Sequence, residues 1–141
     1  MYQRILVAIE NSPADQTIVK HVMELARLTH AELRLVHVAD GFAARHFDDL
    51  KLRESEEMRA DRAYLDTVAA DFSAHGLVVS TELAKGDPAH EILRAAESWH
   101  ADLIAMSTHG HRFLGDLLHG STADRVRHNV HVPVLLVRAK L

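Results

Sequence analysis

Five short aliphatic runs punctuate the chain, and between them lie four longer stretches whose apolar residues recur every three or four positions. The first run, Ile5-Leu6-Val7-Ala8-Ile9, contains no polar residue and predicts a strand buried on both faces. Glu10-Asn11-Ser12-Pro13 stops it. Ser12 is placed to N-cap a helix, with Pro13 at its first position, where a missing N–H costs nothing. That helix sets Ile18, Val22, Leu25 and Ala26 on one face and ends near Thr29-His30. Leu33 to Val38 predicts a second strand, closed by Asp40-Gly41. From Leu52 to His75 the pattern is helical and heavily charged. Met58, Leu65, Val68 and Phe72 are its inward positions, and Arg53-Glu54-Ser55-Glu56-Glu57 reads as a solvated face.

Gly76 suits a helix C-cap, and Leu77 to Leu83 predicts a third strand. Gly86-Asp87-Pro88 turns into a helix with Asp87 as N-cap and Ile92, Leu93 and Ala96 facing inward. Leu103-Ile104-Ala105-Met106 is a fourth buried strand, followed by the small-residue turn Ser107-Thr108-His109-Gly110. Gly120-Ser121 is expected to open the last helix, with Ser121 as N-cap and Asp124 completing a partial capping box; that helix runs to about Asn129. Pro133 to Val137 predicts the last strand. Strands alternating with helices through short turns imply right-handed crossovers and a parallel sheet covered on both faces. The expectation is an α/β, doubly wound, flavodoxin-like or Rossmann-like domain over residues 1–141, with strand order 3-2-1-4-5.

Composition narrows the function more than the fold. A formal net charge of -4 supplies no basic stripe to replace phosphate counterions, so nucleic acid is not an expected partner. With no cysteine, disulfides, thiolate catalysis and thiolate metal sites are excluded. No apolar run approaches the roughly 18 residues of a membrane helix, and Arg4 to Ile9 followed by Glu10 does not read as a signal peptide. No membrane insertion and a cytoplasmic location are expected.

In an open parallel sheet, ligands bind beyond the carboxyl ends of the strands where strand order reverses. That edge would collect Ala8, Ile9, Glu10 and Asn11, then His37, Val38 and Ala39, then Met106 to Gly110, with Gly120-Ser121 folding over it. Aliphatic strand ends suit an adenine-sized group, and small-residue turns beside a helix N-terminus suit phosphates.

These residues bring the chain close to a known family: it resembles the universal stress proteins over nearly its whole length. Nucleotide-binding members carry Gly-x-x-Gly, nine residues, then Gly-Ser or Gly-Thr. Here Ser107-Thr108-His109-Gly110 is followed by nine residues and Gly120-Ser121. The opening strand with Glu10-Asn11-Ser12, the block Gly86-Asp87-Pro88-Ala89, and Pro133 to Val137 also resemble family blocks. The resemblance implies an adenine pocket lined by Ala8, Ile9 and the Val38 backbone. It puts Glu10 where an Asp holds the nucleoside, and Met106 and Ser107 under the ribose and α-phosphate. His109, Gly110, Gly120, Ser121 and Thr122 stand around the phosphates. It further implies a stress-response homodimer paired through Val134 to Val137, with ATP, ADP or AMP as ligand and any Mg²⁺ held by the phosphates. An unidentified regulatory protein is a further partner in this reading.

The sequence departs from the family pattern at three positions: Ser107 and Asn11 replace glycines, and Glu10 replaces Asp. A positive φ at Ser107 would spoil the pocket, whereas an extended backbone would leave it intact; without the pocket, the reading becomes a nucleotide-free dimeric interaction protein. His109, His111, His119, His128 and His131 invite a metal site, but they lack the helical His spacing and the cysteines that would organise one. Phosphoryl transfer needs charge neutralisation, yet the Gly-Lys-Ser/Thr phosphate loop is missing and Arg112 is the cation in view. The expectation is therefore no catalytic residue, and at most weak ATP hydrolysis.

Overall fold

The computed structural model describes residues 1–40, 49–108 and 117–140. Nine elements alternate along it: β1 (Arg4–Ala8), α1 (Asp15–Thr29), β2 (Glu32–Asp40), α2 (Asp49–Ala74), β3 (Val79–Gly86), α3 (Pro88–Trp99), β4 (Leu103–Thr108), α4 (Leu117–Asn129) and β5 (Val134–Arg138). All five strands are parallel, in the order β3-β2-β1-β4-β5. The expected α/β architecture and strand order are found.

The pleat of each strand divides the core in two. Ile5 and Val7, Leu33 and Leu35, and Leu103 and Ala105 point to the side covered by Ile18, Val22 and Ala26 of α1 and Leu65 and Phe72 of α2. Leu6, Val36, Ile104 and Met106 point to the other side, under Ala89, Ile92, Ala95 and Ala96 of α3 and Ala123 and Val126 of α4. The chain changes faces after β3, and that change puts the switch point between β1 and β4.

Helix ends differ from expectation where the tertiary structure offers a better partner. Ser12 does not N-cap α1: Ala14 holds that position without a side-chain cap bond, and the Ser12 hydroxyl accepts from the Ala14 N–H at 3.3 Å. The loop is held instead by Asp15, the first helical residue. Asp87 caps α3 as expected, accepting from the His90 N–H at 3.0 Å, with Pro88 just inside the helix. Ser121 is not an N-cap, because α4 begins at Leu117 and places Gly120-Ser121 inside its opening turns. One interior glycine costs only about 1 kcal/mol, too little to delay a helix that Leu117-Leu118 can already start. Gly76 takes the left-handed φ of +81° expected after α2. The C-caps of α1 and α3 are histidines, His30 and His100, at φ 58° and 59°.

Candidate functional site

β1 ends beside β2 and β4, with Ala8 level with Val36 and Val7 level with Ala105. A cavity of about 320 Å³ opens past these ends, on the side of the sheet covered by α3 and α4. Ala8, Val36, Val38 and Met106 form an apolar floor, and Pro88 and Ile92 of α3 form a wall. Glu10, Asp87, Thr122 and Arg125 supply polar groups around it. An aliphatic enclosure with a few convergent polar groups suits a small ligand that has a flat apolar part and a charged part.

Of the residues singled out from sequence, Ala8, Ile9, Glu10, Val38, Met106, Ser107 and Thr122 all border this one cavity. Gly120 and Ser121 precede Thr122 in α4. His109 and Gly110, like His111, Arg112 and the segment 41–48, lie outside the described residues.

Ser107 answers the question its identity raised. It is a strand residue in β4, absent from the positive-φ positions, so the backbone there does not require glycine. Alternation sets it with Leu103 and Ala105 on the α1 side, opposite Met106, so its Cβ leaves the cavity free. Its hydroxyl is buried with no hydrogen-bond partner among the described residues.

The loop between β1 and α1, which presents Glu10, is gripped from behind. Asp15 is 1% exposed and accepts main-chain N–H bonds from Glu10 (2.9 Å), Asn11 (2.8 Å) and Ser12 (3.3 Å). The Tyr64 hydroxyl of α2 donates to the same carboxylate at 2.6 Å. One turn earlier on α2, Asp61 accepts from the Asn11 side-chain amide at 3.1 Å and lies 3.2 Å from His37 Nε2. His37 Nδ1 lies 2.9 Å from the Ile9 carbonyl; a carbonyl only accepts, so that nitrogen donates a proton to it. Asn11 sits at φ 61°, the left-handed conformation that its short amide side chain tolerates. Ser12 Oγ donates to the Glu10 carboxylate at 3.0 Å, which fixes the acid at the cavity mouth.

Burial above all, then the hydrogen bond to Asp15 and the charges of Asp15 and Glu10, hold the Tyr64 hydroxyl well above the ordinary tyrosine range. The folded chain thus binds this proton more tightly than the unfolded chain. The contribution is complete below about pH 10, the ordinary tyrosine value, and is lost as pH rises beyond it. Wild-type melting temperature is expected to fall more steeply than that of Tyr64→Phe as pH rises from about 10 to 12. Parallel slopes in thermal melts of the two proteins would contradict this.

Sequence reasoning placed His37 at this edge of the sheet, where it does border the cavity, but did not single out Asp15, Asp61, Tyr64, Asp87 or Arg125 as site groups. The available signal was spacing: Asp61 and Tyr64, and Thr122 and Arg125, each stand three apart on one face of a helix. Asp87 lies below the usual carboxylate range, first because Arg125 hydrogen-bonds to it and then because the His90 N–H does.

Residues 1–138 match the profile of the Universal stress protein family. The curated relative Universal stress protein MJ0531 of Methanocaldococcus jannaschii is 33% identical over 145 residues, covering 98% of this chain and 83% of its own length. The solved structure of MJ0577 from the same organism superposes with a TM-score of 0.85 at 26% identity, covering 100% of this chain and 99% of that one. A universal stress protein from Archaeoglobus fulgidus, solved in complex with dAMP, shares the fold at 22% identity and a TM-score of 0.67, covering 96% and 98% of the two chains.

Proposed function

Because this chain belongs to the universal stress protein family, we propose that its cavity binds an adenine nucleotide (ATP, ADP or AMP) and that the protein works as a dimeric, regulatory binding module. The observation that carries the reading is the cavity itself: seven residues chosen from sequence border one apolar space at the switch point of the sheet. The dAMP complex of a fold neighbour supports the ligand class. Ala8, Val36, Val38 and Met106 would take the base, Glu10 the ribose, and the start of α4 the phosphates. The four N–H groups that open a helix have no partner within it, and the helix dipole favours an anion there.

The nucleotide is read as a ligand and not as a substrate. No lysine stands on the described cavity wall and its one arginine, Arg125, is paired with Asp87, so the charge neutralisation that phosphoryl transfer uses is thin. Among the described residues no three His, Asp or Glu side chains gather as a metal set, so Mg²⁺ would be carried by the phosphates. Dimerisation through β5 is supported by its place at the sheet edge and by Leu136, which is 39% exposed there. An apolar edge strand with unpaired backbone groups invites a second strand.

Acid precipitation of the purified protein followed by chromatography of the supernatant tests the reading. Near-stoichiometric adenine nucleotide is the expected result. An empty extract, together with no thermal shift in millimolar ATP and Mg²⁺, would leave a nucleotide-free dimer.

A further inference from the structure

Arg125 is the one arginine or lysine among the described residues bordering the cavity, facing Glu10 and Asp87, which carry the opposite charge. It stands one turn beyond Thr122 on the same face of α4, and both residues border the cavity. Its two terminal nitrogens donate to the two oxygens of Asp87 at 2.9 and 3.0 Å, a paired geometry that fixes the plane of the guanidinium. Asp87 is itself fixed, since it caps α3 through the His90 N–H. Both side chains are about half exposed, so the pair adds little stability in water; what it supplies is position. A guanidinium has five N–H donors, and two are used here among the described residues.

We propose that Arg125 is the anion-recognising residue of this cavity: Asp87 orients its guanidinium, and the remaining N–H donors take a phosphate oxygen of the ligand. The inference rests on the adenine-nucleotide reading and deepens it, because it makes the cavity selective for phosphorylated ligands over the bare nucleoside. Asp87 is then a positioning residue that acts through Arg125. Lysine would not replace arginine here, since an ammonium cannot hold Asp87 by two parallel bonds and keep a second fork for phosphate.

The test is calorimetric titration of the full chain with ATP, AMP, adenosine and inorganic tripolyphosphate. Wild type, Arg125→Gln, Arg125→Lys and Asp87→Asn are compared. Arg125→Gln is expected to weaken ATP and AMP about tenfold, the scale of one charge-assisted hydrogen bond, with adenosine unchanged. Asp87→Asn keeps a good helix cap and should lose about threefold for ATP and AMP with adenosine unchanged, and Arg125→Lys should fall between the two. ATP affinity unchanged in Arg125→Gln, or adenosine weakened equally, overturns the proposal. Tighter ATP binding by Asp87→Asn overturns the positioning role. If wild type binds tripolyphosphate as tightly as ATP and adenosine not at all, and Arg125→Gln loses the tripolyphosphate, the nucleotide reading fails while Arg125 stands. If wild type binds none of the four, both fail.

Discussion

Asp15→Ala is expected to destabilise the protein by about 3 to 5 kcal/mol, since each buried donor left without its acceptor costs about 1 to 3 kcal/mol. Four donors lose their acceptor at once: the main-chain N–H groups of Glu10, Asn11 and Ser12 and the Tyr64 hydroxyl. Water cannot readily replace the carboxylate, because the side chain is 1% exposed. A domain of this size has about 5 to 15 kcal/mol in total, so melting temperature should fall by roughly 10 °C. Asp15→Asn, which keeps one acceptor oxygen, should fall between the two. Thermal and urea unfolding of the three proteins decides the matter. An alanine variant melting within about 2 °C of wild type would mean that the loop holds its shape without the carboxylate.

Ala8→Phe is expected to do the reverse: nucleotide affinity drops a hundredfold or more, about 2.7 kcal/mol, while the fold survives. Ala8 is only partly buried and its side chain belongs to the cavity floor with Val36, Val38 and Met106. A phenyl ring there enters open space instead of a packed interior, so the usual penalty of about 1 to 3 kcal/mol for overfilling a core does not apply in full. The check is isothermal titration with ATP beside a thermal melt. Retained affinity would place the base elsewhere. Lost affinity together with a collapsed melt would show that Ala8 is a packing position.

The strands were legible because a strand buried on both faces must be aliphatic throughout, and Ile5-Leu6-Val7 and Ile104-Ala105-Met106 can be little else. Handedness implied a parallel sheet covered on both faces, the strand order came with the doubly wound fold class, and the cavity floor followed from that order. Helix starts were less legible, since a serine ahead of a periodic run signals a cap only when nothing competes. At α1 the competitor was Asp15, which satisfies three loop N–H groups from within the helix. At α4 the helix had already started at Leu117. Least legible were the polar contacts across the fold. Tyr64 and Asp15 are 49 residues apart, and Arg125 and Asp87 are 38 apart. The three-residue spacing of Asp61 and Tyr64 is the local signal in α2, and other polar pairs of that helix, such as Glu56 and Arg59, share it.

The cavity wall draws on residues from Ala8 to Arg125, taking in two strands of the first half, the start of α3, the end of β4 and one face of α4. A polypeptide still being synthesised cannot assemble that wall until α4 has left the ribosome and docked. Any ligand of the cavity therefore selects finished molecules, and it shifts the folding equilibrium toward them by about 2.7 kcal/mol when present at a hundred times its dissociation constant. If the cavity binds such a ligand, this linkage would tie the abundance of the intact protein to the ligand's concentration, with no change in the rate at which the protein is made.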